Sequence, residues 1–254
     1  MDAPAPAVAA AAGRVLVAHQ PAYLPWPGYF SRLTDVDTLM LLDHVQYTER
    51  GWQNRNWIRG HDGGRLLLTV PVLTRGAFGQ AIAQVRTADS RWPRAHWRTI
   101  QQVYGTAPYF DTHAQRLAQI YADRHPLLAD INIELIRMIL DATGLSIRLV
   151  QSTTLAPVGR RTAMLIDLCQ RSGATSLRVG TGASAYLDRQ ALAAAGIDLE
   201  IASYSHPAYP QGRRPFLPGL SMLDAILNLG PAVRDLLASG HRLARHPAQS
   251  LARP

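Results

Sequence analysis

The chain has 254 residues, 47% of them hydrophobic and 17% charged, so it belongs with globular proteins and is long enough for a full apolar core. Its formal net charge is +8, yet all 26 of its basic residues are arginine; without lysine there is no Schiff base to pyridoxal phosphate and no phosphate loop of the Gly-Lys-Ser/Thr type. The single cysteine, Cys169, excludes an internal disulfide and any multi-cysteine metal or iron–sulfur centre, and no apolar run approaches bilayer length. The arginines are spread along the chain rather than gathered into a stripe interleaved with aromatics, which reads as a solvated basic surface and leaves an anionic small substrate open. Met1 to Gly13, mostly Ala and Pro, carries no basic cluster and reads as a disordered leader, with the cytoplasm the expected location.

Arg14 to Ala18 is a short valine-rich strand that ends at His19-Gln20-Pro21. A Pro-rich turn through Gly28 leads to a short helix from Tyr29 to Leu33. Thr38 to Leu42 is a second buried strand, ending at Asp43. Val45 to Arg59 lacks a clean period and reads as a long ordered loop; Arg65 to Val72 and Ala81 to Arg86 read as strands. Helices follow over Trp92–Tyr104, Phe110–Asp123 and Leu127–Thr143, the last two from apolar three- and four-residue spacing and the final one stopped by Gly144. Then come strand Ser146–Val150, helix Thr162–Arg171 stopped by Gly173, strand Leu177–Val179, helix Arg189–Ala195, strand Ile197–Ile201 and helix Leu220–Leu229. Such alternation predicts an α/β fold with a mainly parallel sheet and helices on both faces, Rossmann-like, with the helices at about 92–143 inserted or capping an edge. One α/β catalytic domain is expected over 14–239, with 240–254 a flexible basic tail.

In open parallel sheets, ligands sit beyond the carboxyl ends of the strands. His19 and Asp43 end the first two strands, so neighbouring strands would bring imidazole and carboxylate into one crevice, where the carboxylate could orient the ring. The loop between them adds Gln20, Tyr23, Trp26, Gly28 and Tyr29, stiffened by three prolines. Gly28 suits close backbone approach, and the helix start there suits phosphate or carboxylate. Gln46, Tyr47, Arg50, Trp52, Asn54, Arg55 and Asn56 form a second candidate group, since arginine recognises carboxylate and phosphate bidentately. A glycine-rich turn, Gly180 to Gly182 with Tyr186 beyond it, follows a strand. His206-Pro207 echoes His19-Gln20-Pro21, and Ser221 starts a helix as cap or ligand. Histidine spacing assigns no metal site, and no Gly-x-Ser-x-Gly elbow exists.

HQPAYLPWPGYFSRL, LLDHVQYTERGWQNRNWIRG, LLLTVPV, GTGASAYLD, AGIDLEIASYSHPAYPQ and PFLPGLSMLDAILNLG, in that order, resemble the WbqC-like protein family from about Val15 to Gly230. The resemblance implies a place in bacterial surface-polysaccharide (O-antigen) or specialised-metabolite biosynthesis. It departs at Leu177-Arg178-Val179-Gly180, where the family usually carries a serine before the glycine-rich turn. The first turn is also similar to that of nucleotidylyl transferases, which set a His-x-Gly-His motif over nucleotide phosphates; here Gly28-Tyr29 replaces the second histidine.

Together these readings lead to an expected acyl or aminoacyl transferase or amide-forming ligase, with ATP and magnesium as the candidate cofactor and His19, Asp43 and His206 as candidate catalytic residues. The remaining residues named above would bind substrate or nucleotide. Two alternatives differ in class: a non-catalytic protein holding a nucleotide or nucleotide-sugar, and a transferase taking its donor from aminoacyl-tRNA. The expected partner is a small-molecule substrate, free or bound to a carrier or tRNA, with no membrane involved.

Overall fold

A computed structural model describes residues 14–212 and 215–251 of the protein. The leader expected over Met1 to Gly13 lies outside the described residues.

The parallel core begins with β1 (Val15–His19), α1 (Pro27–Ser31) and β2 (Thr38–Leu41). A two-stranded antiparallel hairpin follows, β3 (Arg55–Arg59) and β4 (Arg65–Thr69). Three amphipathic helices come next: α2 (Trp92–Tyr104), α3 (Phe110–Ala122) and α4 (Leu128–Thr143). The second half alternates β5 (Arg148–Gln151), α5 (Thr162–Ser172), β6 (Ser176–Gly180), the single-turn α6 (Thr181–Ser184), α7 (Arg189–Ala194) and β7 (Asp198–Tyr204). The chain continues through α8 (Met222–Leu229), α9 (Val233–Gly240), β8 (His241–His246) and α10 (Ala248–Leu251).

The main sheet has six strands in the order β5-β2-β1-β6-β7-β8. The first five are parallel and β8 is an antiparallel edge. Side chains alternate across it. Val17, Leu39 and Leu41 face a cluster built largely from α1, α4, α8 and α9. Leu16, Met40, Leu177 and Leu199 face Leu168 and Cys169 of α5 and Leu192 of α7. Helices therefore cover both faces, and Cys169 is the buried hydrophobe its apolar helix suggests.

From β1 the chain steps outward to β2 and β5, then returns to place β6 and β7 on the other side of β1. Connections diverge at the carboxyl ends of β1 and β6, and that divergence opens a crevice.

Three local expectations fail. Within the supposed loop 45–59, Arg55–Arg59 is β3; its sequence shows no clean apolar alternation, and pairing with Arg65 to Thr69 supplies the order instead. Ala81–Arg86 holds a 3-10 turn at Ile82–Gln84 with isolated bridges, because buried Ile82 and Val85 sit three residues apart. Beyond Gly240 the chain does not fray through the described residues: β8 pairs backbone to backbone with β7 over six residues of each strand.

Candidate functional site

β1 and β2 are neighbours, with His19 opposite Leu41. The predicted pairing of His19 with Asp43 does not follow from that adjacency. The Asp43 carboxylate accepts hydrogen bonds from Ser152 Oγ at 2.9 Å, Thr153 N at 2.9 Å, Thr153 Oγ1 at 2.8 Å and Gln151 Nε2 at 3.0 Å. Four donors occupy both oxygens and cap the turn after β5. Among the described residues no hydrogen bond joins His19 to Asp43. The Asp43 carboxylate is engaged at the turn after β5, and the group that meets the His19 ring is a backbone carbonyl.

That carbonyl belongs to Gln20, 3.0 Å from His19 Nδ1. A carbonyl only accepts, so Nδ1 carries the proton and Nε2 keeps a lone pair. Burial, with help from the nearby Arg32 charge, holds the imidazole down at about 4 against the Gln20 bond. His19 is thus neutral near pH 7. Its ring stands edge-on to Tyr29, centroids 4.5 Å apart.

His19 lines a cavity of about 390 Å³ at the carboxyl ends of β1, β6 and β7. Trp26 and Gly28 enter it from the first loop, Gly180 and Gly182 from the glycine-rich turn, and Tyr204 from the end of β7. Arg32, which the sequence reading did not single out, completes the lining. Its Nε donates to Gly28 O at 3.1 Å, one turn back along α1. Among the described residues it has no carboxylate partner. Burial pushes this guanidinium below its ordinary value. A side chain at Gly180 would place Cβ 3.0 Å from Arg32 Nη1, so glycine there keeps room for the cation. Among the described residues the buried Tyr29 hydroxyl has no hydrogen-bond partner; its ring lies next to His19, and the hydroxyl lies in the field of the Arg32 charge. Arg32 therefore gives the crevice a guanidinium with no carboxylate partner among the described residues, beside the lone pair of a neutral imidazole.

Gly28 plays a different part from the one its sequence suggests. A Cβ there would lie 2.1 Å from the Trp26 indole, so the close approach is made by that ring. The indole in turn packs under Tyr204 and His206, at 5.7 and 5.2 Å. His206 is exposed and touches the cavity wall through Trp26 and Tyr204; burial and Arg65 lower its imidazole below the usual value.

The other candidates lie elsewhere. Tyr23 is buried, its hydroxyl 2.8 Å from His96 Nδ1 and 2.6 Å from Tyr121 OH. Gln20 accepts from Gln53. Asn54 donates to Val70 O, and Asn56 to the carbonyls of Tyr23 and Leu24. These asparagines brace backbone and leave no side chain for a ligand. Gln46 bridges Ala81, buried Tyr47 packs into the core, Arg50 holds a left-handed turn and Trp52 is 58% exposed. Arg55 Nε reaches only Asn54 Oδ1, at 3.5 Å. Tyr186 is 79% exposed. Ser221 caps α8, accepting from Leu223 N. None of these residues lines the crevice. The signal for Arg32 was present in the sequence: it is a lone cation between Phe30 and Leu33, one turn after Gly28, in an otherwise buried stretch.

The crevice is framed by segments whose sequences define a family. The WbqC-like protein family matches residues 20–235. The chain belongs to that family. It is similar to an uncharacterised protein of Mycobacterium tuberculosis, Rv1507c, with 34% identity over 217 residues that cover 85% of this chain and 94% of the relative. No solved structure matches the chain. Before the glycine-rich turn of this WbqC-like protein stands Arg178. That side chain is buried, donating to Glu200 Oε2 at 2.7 Å and to the carbonyls of Arg32 and Thr34 at 3.0 and 2.5 Å. Arg178 thus holds the backbone that presents Arg32. No described helix is long and apolar enough to cross a membrane.

Proposed function

We propose that this WbqC-like protein is a biosynthetic enzyme that activates or transfers an acyl or aminoacyl group onto an amine, with a phosphate-bearing nucleotide or ester seated in the crevice. One observation carries the reading: an arginine without a carboxylate partner stands beside a neutral histidine at the switch point of the parallel sheet. A role in polysaccharide or specialised-metabolite biosynthesis is the reading that the family resemblance supports.

The lining fits a phosphate. Arg32 offers a guanidinium face, and Gly182 has open space where a side chain would stand. Among the described residues no three His, Cys, Asp or Glu side chains converge on a metal position; magnesium arriving with ATP would be held by phosphate oxygens and water. A bound nucleotide supplies a leaving group that makes the acyl carbon electrophilic. His19 Nε2 then accepts the proton of the attacking amine, with Nδ1–H on Gln20 O fixing the tautomer. Arg32 stabilises the negative charge on the departing oxygen, and Trp26 with Tyr204 walls off water.

The test is pyrophosphate release from ATP with a carboxylic acid donor and hydroxylamine as acceptor. His19→Gln is expected to abolish turnover and keep nucleotide binding; Arg32→Ala is expected to lose both. Stabilisation by nucleotide without turnover would make the protein a binding module. Binding of tRNA with a steep salt dependence would move the donor to RNA.

A further inference from the structure

A second cavity, of about 610 Å³, lies between residues 86–90, the start of α2 and the end of α3. It shares no lining residue with the crevice. Its wall is aromatic: Trp97 lies nearly parallel to Tyr121 at 6.4 Å, and Trp92 stands edge-on to the same ring. The polar tip of Tyr121 is used up behind the wall, bonded to Tyr23 OH at 2.6 Å, and Tyr23 in turn meets His96. An apolar surface thus lines the cavity.

Its rim is cationic. Arg86, Arg94 and Arg124 are exposed, and among the described residues none makes a side-chain hydrogen bond or ion pair. Of the two carboxylates in the lining, Asp89 is committed to Arg91 at 2.8 Å, which leaves Asp123 against three guanidinium groups. Aromatic walls with a few convergent charged groups, in a volume of several hundred cubic ångströms, are the composition of a small-molecule site. The excess of arginine selects an anion, and the rings select an apolar, flat group beside it.

We propose that this cavity binds a small organic anion in which a flat apolar ring carries a phosphate or carboxylate. The ring lies against Trp97 and Tyr121, and the anionic group meets Arg94 and Arg124. The site is separate from the crevice, although Tyr23 ties its wall to the loop that carries His19.

Calorimetric titration of the full chain with phenyl phosphate, benzoate and inorganic phosphate tests this. One of the two ring-bearing probes is expected to bind, and which one binds identifies the anionic group. Inorganic phosphate is expected to bind at least about tenfold more weakly, because it lacks the ring. Arg94→Ala and Arg124→Ala, both at exposed positions that the fold does not need, should each weaken the bound probe by about tenfold. Arg32→Ala should leave it unchanged. Failure of both ring-bearing probes at millimolar concentration would overturn the proposal, as would wild-type affinity in both arginine variants. Loss of binding in Arg32→Ala would put the anion in the crevice instead. If only a single-stranded RNA binds, with its affinity falling steeply in salt and lost in Arg94→Ala and Arg124→Ala, the small-ligand assignment is wrong.

Discussion

Residues 19–32 and residues 45–59 look equally suspicious as sequence. Both are rich in aromatics and each carries amide and arginine side chains, and the two are tied together in space by Tyr23 N to Trp52 O and Gln53 to Gln20. Yet they do opposite work. The first leaves, among the described residues, a guanidinium without a carboxylate partner and a phenol without a hydrogen bond, beside a neutral imidazole. The second spends Asn54 and Asn56 on backbone carbonyls and commits buried Arg59 to Gln211 Oε1 and Pro215 O, leaving Arg50 exposed. Residue type therefore marks neither as a site. What separates Arg32 from Asn54 and Asn56 is whether the polar group has already been satisfied from within the protein.

The comparison is sharpest at Asn56. Its side chain donates to two carbonyls and accepts from Trp57 N, so Asn56→Ala orphans buried groups and should cost about 3 kcal/mol in chemical denaturation. A loss below about 1 kcal/mol would erase the distinction drawn here. Next in size, Arg32→Ala should weaken a phosphate-bearing ligand by roughly ten- to a hundredfold, while Arg50→Ala and Arg55→Ala stay within about twofold. Calorimetry on the three variants decides it, and equal losses would return the second segment to the site.

A pH titration probes the same contrast. His19 and His96 are both held at about 4, below the ordinary imidazole value of 6.5. The unfolded chain binds those protons first, so their contribution is complete above about pH 6.5 and is lost as pH falls toward 4, with a slope of at most about 1.4 kcal/mol per pH unit for each residue. Denaturation midpoints at pH 7, 6 and 5 should fall in that order, and His19→Gln should flatten the curve. The smallest effect is expected from Tyr29→Phe, which removes a buried hydroxyl that has no partner. Stability should rise by about 1 kcal/mol. A stability loss would mean that the hydroxyl already has a use in the folded chain.

Chain order alone made much of this protein legible. Strand-to-helix alternation, helix stops at Gly144 and Gly173, and polar residues at the ends of β1, β6 and β7 are local features, and each follows from the period or the conformational freedom of a few neighbouring residues. They place a crevice at the carboxyl edge of a parallel sheet and put His19 in it. The strands β3 and β8 were not legible, because their order comes from backbone pairing with a partner and not from their own alternation. Nor could sequence decide which polar side chains remain free. Asp43 is claimed by Gln151, Ser152 and Thr153, more than a hundred residues away, whereas Arg32 is left without a carboxylate by the same folding. Hydrogen-bond satisfaction depends on which distant groups arrive within about 3 Å, and only the tertiary structure settles that.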